Sequence, residues 1–256
     1  MLCRALIVCG VLAAGVYVAT DIVSSLSYEG YSYVNQAVSE LTALGAPTRA
    51  FAITLFTLHG LLQLAFGLGV LFAARGSRRL QVAGLLLVAL GKLDLGAFLW
   101  PMHVRGAVPT LTDTLHIAAT TMTVVLILGA IGAAAGAFER GFRIYSLWTI
   151  ALVLVAGAAA GMFAPLLAAG LPTPWFGIVE RLSIYAYMVW MGALALELMT
   201  NPKTQIPKPK SQSPNPKAQS PQPKERLHEV LDGVRDVLRH GAERPVRVGA
   251  NHSDAR

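Results

Sequence analysis

Charge is scarce in this chain. Only 14% of its 256 residues are Asp, Glu, Lys or Arg, where a soluble domain carries roughly 25%. That composition excludes a disordered protein and argues against a soluble globular enzyme. Two cysteines exclude a disulfide scaffold and a four-cysteine zinc site. Complete catalytic motifs are missing as well. What the chain has in excess is apolar residues, 54% of the total.

The apolar residues are grouped. A membrane helix needs about 20 of them in a row to cross the hydrocarbon core. Six stretches qualify: 5–26, 51–73, 80–100, 113–137, 144–169 and 178–199. A lipid-facing backbone has to satisfy its own hydrogen bonds, so each stretch reads as helix. The expected fold is an all-α integral membrane protein with six transmembrane helices in a bundle. Gly129, Gly132 and Gly136, and the small residues 156–161, would let helices approach closely. Arg4 gives the first stretch a basic start, but residues 21–27 lack a small-x-small cleavage site. It therefore reads as an uncleaved first helix, with Cys3 and Cys9 as free, packed thiols.

The loops predict an orientation. Arg4, Arg75, Arg78, Arg79, Arg140 and Arg143, with Lys203, Lys208 and Lys210, fall on one side. Arg49, Arg105 and Arg181 fall on the other. The positive-inside rule then puts both termini in the cytoplasm of a plasma-membrane protein. Trp100 and Trp175 sit at the predicted outer ends as interfacial anchors.

Three segments are expected: a membrane domain over 1–199, a Pro/Lys-rich disordered linker over 200–224, and a cytoplasmic tail over 225–256. Residues 200–256 carry +5 of the +7 net charge. Beside a membrane segment, that excess points to cytoplasmic retention and anionic lipid, so no nucleic acid partner is expected. The prolines exclude a helix in the linker. Leu227, Val230, Leu231, Val234, Val237 and Leu238 then share one face of a short amphipathic helix over 225–240. Its mixed charge suits a cytoplasmic protein partner or self-association better than a membrane surface.

Ionisable groups inside membrane helices are expensive, so each is a candidate for function. On the predicted topology almost all lie in the outer half: Asp21, His59, Gln63, Lys92, Asp94, Asp113, His116, Glu180 and Arg181. The outer loops add Ser39, Glu40, Arg49, His103 and Arg105. Glu139 and Glu197 are the exceptions. This describes a polar cup open to one face. The catalytic candidates are Ser39, Glu40, Asp94, His103, His116 and Glu180. Arg49 and Arg181 would bind substrate by gripping a lipid phosphate. Asp94, Asp113 and His116 are the candidate ligands for a divalent metal such as zinc. Structural readings compete with each. Asp94 would bridge to Arg49 or Arg181, Asp113 would N-cap the fourth helix, and a short interfacial helix over 34–44 would absorb Ser39 and Glu40. Haem is not expected, since nothing in the spacing sets His59 and His116 across one porphyrin.

The segment Val38 to Arg49 contains Ser39-Glu40-Leu41-Thr42-Ala43-Leu44-Gly45-Ala46-Pro47. It resembles the first-loop signature S-E-L-G-A-x-G-A-P of the bacterial membrane family called domain of unknown function 998. Gly177-Ile178-Val179-Glu180-Arg181-Leu182, followed by Tyr185 and Trp190, resembles that family's G-x-x-E-R start to its last helix. His116 matches its helix-4 histidine. The resemblance covers about residues 5–199. One departure is Trp100-Pro101-Met102-His103, where the family often has F-P-x-D, so histidine replaces an aspartate. The resemblance implies the six-helix layout and the location of the site, and it carries no reaction.

Three functions fit these residues. The first is a structural or regulatory membrane protein with a polar network at its outer end. The second is a membrane-embedded lipid-binding protein, or a lipid hydrolase or transferase with metal assistance. The third is a small-solute transporter, which would need water access from both sides.

Overall fold

The computed structural model describes residues 1–200 and 231–235. Its helices are α1 (Leu2–Ser27), α2 (Arg49–Ala73), α3 (Arg78–Leu95), α4 (Leu111–Ala135), α5 (Arg140–Gly161), α6 (Ala164–Ala168) and α7 (Phe176–Thr200). Short 3-10 turns cover Val38–Thr42 and Ala97–Leu99. Among the described residues there is no β-strand; a single parallel bridge joins Leu44 to His103. Residues 231–235 are helical. The rest of the expected helix over 225–240, and the linker over 201–224, lie outside the described residues.

Six helical stretches are long and apolar enough to cross a membrane. They match the six apolar runs, with boundaries moved by caps and breakers. The expected run over 144–169 is two helices. Pro165 cannot donate to the carbonyl of Gly161, and its ring crowds that carbonyl. So α5 stops at Gly161, and α6 restarts with Pro165 in its first turn. Ser77 caps α3 by accepting from the Leu80 amide at 3.3 Å. The expected helix over 34–44 shrinks to Val38–Thr42. The carbonyls that would carry an α-ladder there are used elsewhere. Val34 accepts from the Ile178 amide, and Ala37 from the Tyr31 hydroxyl.

Each long helix packs on its neighbours in sequence, and α7 closes the ring against α1. The tightest approach is between α2 and α3. A Cβ on Gly67 would lie 2.6 Å from the Val88 amide nitrogen, and one on Gly91 would lie 2.6 Å from that of Leu64. Gly129, Gly132 and Gly157 sit in looser contacts. Trp190, Phe66, Leu87, Leu90, Ile131 and Leu194 fill the interior. Trp190 is held by an indole N–H donated to Ser146 Oγ at 3.0 Å. Leu85, Val125, Val155 and Val189 face outward, where a lipid-facing surface needs apolar side chains.

Gly67→Ala is expected to destabilise the bundle by about 1–3 kcal/mol through overpacking. Gly141→Ala, where nothing lies within 4 Å of the new methyl, should leave the melting temperature unchanged or slightly raised. Thermal unfolding in mild detergent reads both.

Candidate functional site

The loops over 28–48, 100–110 and 169–175 meet at one end of the bundle. One buried ion pair organises them. Arg181, in the second turn of α7, donates Nε to Asp21 Oδ2 and Nη2 to Asp21 Oδ1, each at 2.8 Å. Asp21 is fully buried and Arg181 is 2% exposed. Nη1 donates to the carbonyls of Tyr33, Gln36 and Gly177, at 2.9, 3.0 and 3.2 Å. Nη2 also reaches the Tyr31 hydroxyl at 2.7 Å. All five N–H groups of the guanidinium are therefore taken by protein oxygens. The Tyr33 ring stacks on the guanidinium, 3.8 Å from its centroid.

Tyrosines complete this network. Tyr185 donates to Asp21 Oδ2 at 2.6 Å, so Tyr33, 2.9 Å from the Tyr185 oxygen, is the donor to it. Burial pushes the Tyr31 phenol above its ordinary range. It stays protonated, accepting from Arg181 while it donates to the Ala37 carbonyl at 2.7 Å. Gly177 is required by the same packing: a Cβ there would strike the Tyr33 and Gln36 carbonyls.

A second ion pair stitches the loops together. Arg105 donates Nε to Glu40 Oε2 and Nη2 to Glu40 Oε1, each at 2.8 Å. Glu40 Oε1 also accepts from the Ala37 amide at 2.8 Å, and Oε2 from Gln36 at 3.0 Å. Arg105 reaches on to the Asn35 carbonyl at 3.1 Å and towards the Leu171 carbonyl at 3.4 Å. Glu180 Oε2 accepts from the Val38 amide at 2.7 Å, which ties α7 to the 3-10 turn. Ser39 contributes its carbonyl, accepting from Thr42 Oγ1 at 2.9 Å. Arg49 donates to the carbonyl of Thr42.

Asp94 pairs with neither Arg49 nor Arg181. Its Oδ2 accepts from Gln63 Nε2 at 2.6 Å and lies 3.7 Å from His59 Nε2. The expected Asp94 bridge is absent: Arg181 is held by Asp21, and Arg49 donates to the Thr42 carbonyl. Tyr187 donates to Gln63 Oε1 at 2.9 Å, and His59 Nδ1 lies 3.0 Å from the Ala13 carbonyl. This polar chain crosses α7, α2, α3 and α1. Gln63 is fourteen residues into α2, about 21 Å from its start. The chain thus reaches the middle of the bundle, deeper than a shallow cup.

Asp113 is not the N-cap of α4. Thr110 takes that position, and Asp113 closes a capping box from the third helical residue. Asp113 Oδ2 accepts from the Thr110 amide at 2.8 Å and lies 2.9 Å from His103 Nδ1; Oδ1 accepts from the His103 amide at 2.8 Å. His103 is thus tied to the helix start. His116 turns elsewhere, with Nδ1 3.2 Å from the Trp100 carbonyl. Asp94, Asp113 and His116 therefore have separate partners. Among the described residues no three His, Cys, Asp or Glu side chains are grouped to hold a metal ion.

The structure assembles most of the candidate residues at one end. Glu40, Glu180 and Arg181 belong to one connected network; Asp113 and His103 form a second, and Asp94 a third. The two residues that complete the ion pairs, Asp21 and Arg105, stand outside the candidate site residues. Their signals were an aspartate in an apolar helix and a lone arginine between the third and fourth apolar runs. Tyr31 and Tyr33 gave no such signal, since tyrosine at a membrane interface is ordinary, and Tyr185 was marked only by the family resemblance.

Asp21→Asn is expected to cost about 3–5 kcal/mol, because it strips the charge partner from a buried guanidinium. Glu40→Gln should cost less, since Arg105 is partly open to solvent and can regain hydration when its partner loses charge. Unfolding in mild detergent compares them, and equal losses would contradict the ranking.

Comparison with known proteins adds one match. A family model described as "Protein of unknown function (DUF998)" matches residues 11–197. No curated protein and no solved structure matches the chain. The matched region contains all six long apolar helices in whole or in large part, both ion pairs and the Asp94 chain, and this multi-pass chain belongs to the DUF998 family.

Proposed function

We propose that the chain is a non-catalytic component of the plasma membrane with a structural or regulatory role. Both termini face the cytoplasm, and the ion-paired loops form an outward cap. The observation that supports this reading is saturation. Arg181 spends every N–H on protein oxygens, and both carboxylate oxygens of Glu40 are bonded. A phosphate arriving at Arg181 would have to displace Asp21. The arginines at 75, 78, 79, 140 and 143, at the opposite end, support the orientation. The amphipathic sequence over 225–240 is the part of the chain we propose for contact with a cytoplasmic partner or a second copy of the chain.

A second reading rests on Asp94. Its side chain is 25% exposed, with a bonded Oδ2. The half of α4 nearest the cap, which carries the partly buried His116, has no buried residue. An intramembrane polar edge of this kind would suit a lipid-binding protein or a lipid hydrolase or transferase, with Asp94 or His116 as base or metal ligand.

Native mass spectrometry of the full chain, released in mild detergent, separates the two. The structural reading expects exchangeable lipid alone. A stoichiometric metal or lipid that disappears in a folded Asp94→Ala variant would replace it with the second. Sidedness is read by an impermeant maleimide on cells expressing a variant without Cys3 and Cys9. Val108→Cys should label in intact cells and Gly141→Cys only after permeabilisation; the reverse pattern would invert the topology.

A further inference from the structure

The opposite end of the bundle holds a feature that the cap does not use. Between the α2–α3 turn and the α4–α5 turn lies a cavity of about 490 Å³. Its floor is apolar: Ala73, Ala74, Leu80 and Phe138 are all buried. Its rim is polar, with Arg75, Ser77 and Arg143. Arg79 lies across Gly136 at the same rim, where a Cβ would fall 2.9 Å from Arg79 Cδ.

The arginines are anchored, and among the described residues the anchors leave donors free. Arg79 donates Nη1 to the Gly136 carbonyl at 2.7 Å, and Arg143 donates Nε towards the Ala135 carbonyl at 3.4 Å. These are carbonyls at the C-terminal end of α4, so each guanidinium is oriented by one bond and keeps other N–H groups for a ligand. Arg75 sits in a tight turn, at φ 23, before Gly76 at φ 86, and is exposed. The two turns and their flanks, 74–80 and 136–143, hold five arginines against the single acid Glu139. Glu139 also lines the cavity.

An apolar floor under a rim of forked cations matches one ligand chemistry. An anionic phosphate would take bidentate N–H groups from the rim. A glycerol or acyl portion would lie on the floor. The cavity sits where four helices long and apolar enough to cross a membrane begin or end, the level at which such a span would meet headgroups. We infer that the cavity between the α2–α3 and α4–α5 turns binds an anionic phosphate, carried by a lipid headgroup or free, through Arg75, Arg79 and Arg143. Basic pockets between membrane helices bind anionic headgroups in this way. The site is independent of the cap and of the role assigned to it.

The test uses the full chain in mild detergent. Native mass spectrometry is run with added phosphatidylglycerol or phosphatidylcholine, and thermal stability is read with inorganic phosphate. Wild type should retain phosphatidylglycerol over phosphatidylcholine. Arg75→Gln with Arg143→Gln should weaken that retention by roughly fivefold per arginine removed. Glu29→Gln, at an exposed position of the 28–48 loop at the other end, should leave it unchanged. Saturable stabilisation by phosphate, lost in the double variant and without phosphatidylglycerol retention, would support the free anion as ligand. If the double variant unfolds, Arg75→Gln alone, on an exposed turn, takes its place. Binding of neither probe, equal binding of both lipids, or unchanged phosphatidylglycerol retention in folded variants would overturn the inference.

Discussion

A carboxylate and a guanidinium buried together in an apolar bundle each lose several kcal/mol of hydration. The Asp21–Arg181 pair offsets that loss with geometry. The two groups meet in a parallel fork at 2.8 Å, and the remaining N–H groups find the carbonyls of Tyr33, Gln36 and Gly177. Those carbonyls belong to the first loop and to the start of α7. A pair formed between α1 and α7 therefore also decides where the first loop runs. The Val38–Thr42 turn follows, and with it Glu40, which takes Arg105 from the next loop. The cap is a sequence of dependent contacts, each positioned by the one before.

The rigidity of this cap narrows what it can do. Reactive groups have to be exposed to a substrate and able to change partners. Glu40, Glu180 and Arg181 are instead bonded to backbone amides and carbonyls of the first loop. Such an arrangement fixes shape. The chain from Tyr187 through Gln63 to Asp94 differs, because it runs through the middle of the bundle and ends at a partly exposed carboxylate. The arginine-rimmed cavity at the far end differs again, because its guanidiniums keep donors to spare. Chemistry is better sought at these two places than in the cap.

The six helices were legible in the sequence, because lipid demands about 20 apolar residues per span and the chain obeys. Their ends were less so. The break before Pro165 follows from its missing amide, yet the apolar run continues through it. Thr110 rather than Asp113 begins α4, a shift of three residues that converts an N-cap into a capping-box partner. The polar end was legible as a cluster, and its pairing was not. Asp94 and Asp21 look alike in sequence, each a lone acid near a helix end, and only the packing of α1 against α7 gives Arg181 to Asp21. Likewise, carbonyls taken by Tyr31 and Arg181 leave no signal in residues 34–44 themselves, so a helix was the natural expectation there. The glycines that bring helices closest, Gly67 and Gly91, carry no pattern that sets them apart from Gly129 or Gly132.

Hydrogen exchange on Arg181→Met, compared with the unaltered chain in lipid nanodiscs, tests the dependence of the cap on this one pair. The account predicts that amides at Val38, Leu44, Trp175 and Ile178 lose protection together, although they are spread over the 28–48 loop, the 169–175 loop and the start of α7 and bond to Glu180, Met102, Asn35 and Val34. Loss confined to the first turns of α7, with the Leu44–Met102 bond still protected, would contradict it.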